Sequence, residues 1–110
     1  MPYPKVELLW WEGCPSWQRA LEDLRGAMAE VGLDPREVIV REIDDDADAV
    51  EERFVGSPTI RIEGRDVQPP GEGEAPALTC RVYHLRDGRV SPVPDPADLR
   101  DALARVAARA

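Results

Sequence analysis

The sequence predicts an α/β domain with element order βαβαββα and a mixed sheet of four or five strands flanked by helices. Three observations carry that expectation. An apolar segment, Lys5 to Trp10, runs straight into a stretch with helical periodicity. A second segment rich in β-branched residues follows, so strand, helix and strand read as a right-handed parallel crossover. The second half then alternates short strand patterns with turn signals and closes on a capped amphipathic segment.

The first strand is short, apolar and bounded by Pro4 and Gly13. Pro15 suits the first turn of a helix, where a missing N–H costs nothing. Trp17, Leu21, Leu24, Met28 and Val31 recur at spacings of four, three, four and three, a helical stripe. Gly32 and Pro35 end it after about 16 residues, or roughly 25 Å. Glu37 to Ile43 supplies the second strand. Asp45 or Asp46 caps a short second helix with Ala47, Val50 and Phe54 facing inward. Gly56-Ser57-Pro58-Thr59 turns into a third strand with Ile60 and Ile62 on one face. Residues 65 to 79 contain Pro69, Pro70, Gly71, Gly73 and Pro76 and show no period, so they form a long loop, a functional flap or a mobile segment. Thr79 to Leu85 reads as a fourth strand, Asp87-Gly88 as a tight turn, and Arg89 to Val93 as a short fifth strand. Asp95-Pro96-Ala97-Asp98 opens the last helix, with Leu99, Ala102, Leu103, Val106 and Ala107 as its buried stripe.

At 110 residues, with no linker or repeat, residues 1–110 form one domain. The net charge of −8 disfavours nucleic acid and anionic membranes, both of which need basic patches. The run Asp44-Asp45-Asp46 reads as a solvated cap, since it lacks the spacing of a calcium loop. The apolar N-terminal strand is too short for a signal peptide or a membrane span, so a cytoplasmic location with reduced thiols is expected. No cofactor is implied, and two cysteines with one histidine, widely spaced, match no zinc pattern.

The chemistry centres on Trp10-Trp11-Glu12-Gly13-Cys14-Pro15-Ser16-Trp17. Cys14 stands where a strand ends and a helix begins, in the field of unpaired helix N–H groups that favours the reactive thiolate. Ser16 is placed either to donate to that thiolate or to act as a solvated cap. Trp17 belongs to the core stripe and narrows access to the sulfur. Of Trp10 and Trp11, one should be buried while the other lines the rim. His84, the only histidine, is a surface residue or, less simply, a partner for Cys14.

The aromatic–Gly–Cys–Pro segment, together with Gly56-Ser57-Pro58-Thr59 before the third strand and the element order, resembles the thioredoxin-like superfamily. The resemblance covers nearly the whole chain. It implies that Cys14 is the attacking cysteine and that Pro58 is a cis-proline facing it. The chain departs from the usual Cys-x-x-Cys motif, since Cys14-Pro15-Ser16-Trp17 places tryptophan at the resolving position. A dithiol cycle at one helix terminus is thereby lost, and monothiol exchange through Cys14 is the expected function. Its partner would be a low-molecular-weight thiol or a protein thiol or disulfide.

Cys80 is the possible second thiol. A third strand leading away from Pro58 carries the chain roughly 16–20 Å before an antiparallel fourth strand begins. That puts Cys80 at the far end, beyond the ~7 Å Cα separation a disulfide tolerates, unless the long loop reroutes the chain. Two further functions stand beside monothiol exchange. One is a non-catalytic thioredoxin-like binding module. The other is handling of soft metals or organomercurials by Cys14 and Cys80, which needs the two sulfurs to be close.

Overall fold

A computed structural model describes residues 4–108. Strand β1 (Val6–Trp10) is central, with β2 (Ile39–Glu42) parallel to it on one side and β3 (Thr59–Ile62) antiparallel on the other. A two-residue strand β4 (Arg65–Asp66) completes a four-stranded mixed sheet of order β2-β1-β3-β4. The long helix α1 (Trp17–Glu30) links β1 to β2 and supplies the crossover that parallel neighbours require. Helix α2 (Asp46–Glu52) precedes β3, and helix α3 (Pro96–Ala107) ends the described chain.

The alternation of β1 divides the core. Val6 and Leu8 join Ile60 and Ile62 against Ala20, Leu24 and Met28 of α1 and Leu99, Leu103 and Val106 of α3. Leu9 faces the other way, into a smaller cluster with Ile43, Ala49 and Phe54, to which Trp11 and Leu78 add. Period-two alternation thus places helices on both faces of one strand. Asp45 caps α2 by accepting from the Asp48 amide, and Asp95 caps α3 by accepting from Ala97.

Several expectations are corrected. Helix α1 has 14 residues and starts at Trp17 rather than Pro15. Residues Pro35–Glu37 form a 3-10 turn, so β2 is four residues, all exposed, at the sheet edge. On α2 the inward residue is Ala49, whereas Ala47 and Val50 are exposed, Val50 at 63%. The helix is only two turns long. Its rotation is fixed by Phe54, whose amide donates to Ala49 O after Arg53 takes a left-handed turn. The expected strand from Thr79 to Leu85 does not join the main sheet. Only Tyr83–His84 (β5) is a strand, and it pairs with Val90–Ser91 (β6) in a separate hairpin across the Asp87-Gly88 turn. The chain instead reverses immediately after β3, where Glu63 and Gly64 both adopt positive φ and lead into β4. Among the described residues, no helix is long and apolar enough to cross a membrane.

Leu8 is fully buried between the helices and the sheet. Leu8→Ala should therefore lower stability by about 2–5 kcal/mol, while Val50→Ala stays within about 0.5 kcal/mol, both read as shifts in denaturant midpoint at constant m.

Candidate functional site

Ser57 is where the site is assembled. It is completely buried and precedes the cis peptide bond to Pro58. Its hydroxyl oxygen accepts from the Trp11 amide at 3.0 Å, tying it to the end of β1. Its carbonyl accepts from the Cys14 Sγ–H at 3.5 Å and from the Arg81 amide at 2.9 Å. Its own amide donates to the Thr79 carbonyl at 2.8 Å. These last bonds make a parallel bridge between Ser57 and Cys80. One residue therefore holds the Cys14 turn on one side and the Cys80 segment on the other.

This arrangement corrects two expectations about the cysteines. Cys80 does not lie at the far end of β3. Residues 67 to 79 carry the chain back across the sheet, with the Ala77 amide on Phe54 O and Leu78 packed in the smaller cluster. Cys80 consequently arrives beside Ser57, and its thiol is within hydrogen-bonding reach of the Cys14 sulfur. The second concerns access, since a reactive Cys14 calls for a sulfur that solvent reaches. Cys14 is buried, at 2% exposure, and Cys80 is exposed. Both are free thiols. The hydrogen bond to the Cys14 sulfur, helped by burial and by the charge of Cys14, holds the Cys80 proton on, pushing its pKa from 9.0 up to about 11.

The turn before Cys14 is packed closely against Trp11. A Cβ on Gly13 would lie 2.3 Å from Cη2 of the Trp11 ring, so the indole is folded flat over the backbone just before Cys14. The turn closes through the Cys14 amide, which donates to Trp11 O at 3.1 Å. Trp11 is half-buried against the smaller cluster, whereas Trp10 stacks on Trp17 with ring centroids 4.1 Å apart and packs on the larger one. Both tryptophans of the strand end are thus structural, and Trp11 is the one beside the site. Pro15 is exposed and Ser16 makes no side-chain cap to α1. His84 is exposed on β5, with its backbone amide on the Gln68 side chain.

Arg81 and Tyr83, which sequence reasoning did not single out, lock the Cys80 segment in place. The Arg81 guanidinium is buried, donates to Asp66 Oδ2 at 2.6 Å and Thr59 Oγ1 at 3.3 Å, and reaches the Gln68 carbonyl. It lies 4.6 Å above the Tyr83 ring. The Tyr83 hydroxyl donates to Pro58 O at 2.5 Å, which places a second fastening one residue beyond Ser57. Gly56 permits the approach, since a Cβ there would meet the Arg81 Cβ at 3.1 Å. An arginine and a tyrosine alternating with Val82 after a cysteine carry no such signal in sequence.

No protein-family model, curated protein or solved structure matches the chain.

Two measurements check this geometry. Alkylation of Cys80 followed against pH should show thiolate emerging toward pH 11 in the native chain, and at lower pH in Cys14→Ala, where the accepting sulfur is gone. Arg81→Met leaves Asp66 without its partner and should cost about 3–5 kcal/mol by chemical denaturation, while accelerating alkylation of Cys14.

Proposed function

We propose that the chain is a thioredoxin-like protein of thiol–disulfide exchange whose redox pair is Cys14 and Cys80. The observation that carries this reading is the shared attachment of both cysteine segments to Ser57, which leaves their sulfurs in mutual reach. The cis Ser57–Pro58 bond beside Cys14, the parallel β1–β2 crossover and the antiparallel β3 support the family resemblance. The pair replaces the monothiol cycle expected from the sequence, with Cys80 standing in for the resolving cysteine that Trp17 displaces.

Exposure assigns the roles. Cys80 is the sulfur that a partner meets first. At alkaline pH, where it ionises despite its raised pKa, it gives up its proton and bonds to one sulfur of the partner disulfide, breaking that S–S bond and releasing the other sulfur as a thiol. The Cys14 sulfur then gives up its proton and bonds to Cys80, breaking the mixed disulfide and releasing the second partner thiol. The pair loses two electrons and two protons, and the partner disulfide gains both. Run backwards, an external thiolate attacks the exposed Cys80 sulfur, the internal S–S bond breaks and Cys14 leaves, taking up a proton beside the Ser57 carbonyl. The partner class is a low-molecular-weight or protein disulfide.

The test is exchange with glutathione disulfide in non-denaturing buffer. The reduced chain should release two glutathione thiols per chain and acquire an internal disulfide. Cys14→Ala should stop at a glutathione adduct on Cys80, and Cys80→Ala should exchange at least about tenfold more slowly because access governs the rate. Exchange in Cys80→Ala at the native rate would restore the monothiol reading through Cys14.

A further inference from the structure

We infer that Cys14 and Cys80 also form a two-coordinate site for a soft monovalent cation, copper(I). The sulfurs come from segments remote in sequence, the strand-to-helix turn and the end of the long loop, and both are fixed to Ser57. Two metal–sulfur bonds of about 2.3 Å each span about 4.6 Å in a linear S–Cu–S unit, a span suited to two cysteines held on one residue, with the exposed Cys80 side chain free to adjust.

The donor set selects the ion. Among the described residues, no three His, Cys, Asp or Glu side chains come together as a possible metal group. Zinc in a protein site takes three or four such ligands, and calcium or magnesium take several oxygens, so a bare pair of sulfurs suits neither. Thiolates favour soft ions, and a low-coordinate copper(I) is satisfied by two. The Ser57 carbonyl near Cys14 already accepts from the Arg81 amide and adds no hard ligand that would favour another metal. Access also fits. Cys80 faces solvent and captures the ion, while Cys14 is buried.

The coordination step is balanced without an electron: one copper(I) replaces two thiol protons and leaves a dithiolate complex of charge −1. The inference rests on the same sulfur pair as the exchange reading, but it requires no exchange chemistry.

The experiment is an anaerobic titration of the reduced chain with copper(I) against a chromogenic copper(I) chelator, with folding of every variant checked by circular dichroism. One ion per monomeric chain is expected, with two protons released for each. Cys80→Ala, at an exposed position, should weaken binding more than about 100-fold, beyond the effect of losing an outer-shell contact. Cys14→Ala should do the same. Unchanged affinity in Cys80→Ala, one copper bridging two chains, or zinc(II) bound as tightly as copper(I) would overturn the site. Copper binding by a chain inert to glutathione disulfide would sink the exchange reading alone. A chain that exchanges but does not bind copper would sink this inference alone.

Discussion

The hydrogen bonds of Ser57 are the constraint on which the rest of the molecule's chemistry depends. A buried peptide group must find partners or lose their full desolvation cost, so each polar atom of Ser57 has a structural consequence. Its hydroxyl secures the end of β1, its carbonyl accepts from Cys14 and from Arg81, and its amide binds Thr79. Bonds to two distant segments through one residue bring those segments together. The sheet sets where Ser57 stands, because the residues after it form β3, which pairs with β1 from Val6 to Leu9.

Fastening the Cys80 segment takes more than a single bridge. The segment has little secondary structure of its own, and Val82 beside it is exposed. Its anchorage comes from the buried Arg81 on Asp66, Thr59 and Gln68, and from the Tyr83 hydroxyl on Pro58 O. These are charge-assisted or buried bonds, stronger than exposed ones. They tie the loop to β3 and β4 from beneath, while the Cys80 side chain remains at the surface. The outcome is a dithiol with its accessible sulfur on a loop and its protected sulfur at a strand-to-helix turn.

Much of this frame was legible from residues alone. The stripe through Leu24 and Met28, the caps at Asp45 and Asp95 and the Asp87-Gly88 turn follow from periodicity and turn chemistry, whereas the attention to Ser57 and Pro58 came from the family resemblance. The position of Cys80 did not follow. Strand periodicity from Thr79 to Leu85 points to a long antiparallel strand beginning far from Pro58. Instead Glu63-Gly64 turns the chain at once, and the residues to Thr79 travel back. Three prolines in that stretch favour extended backbone at about 3.1 Å per residue, so thirteen residues readily cover the return. The burial of Cys14 was missed for a different reason. Cys14 sits against the Ser57 carbonyl, a contact across 43 residues that neither helical nor strand periodicity encodes.

The most direct test of the central claim is to oxidise the dilute native chain mildly, block remaining thiols and map the cross-linked peptides by mass spectrometry. The account predicts monomers carrying one Cys14–Cys80 disulfide. Dimers joined through Cys80, with Cys14 recovered as a free thiol, would contradict it.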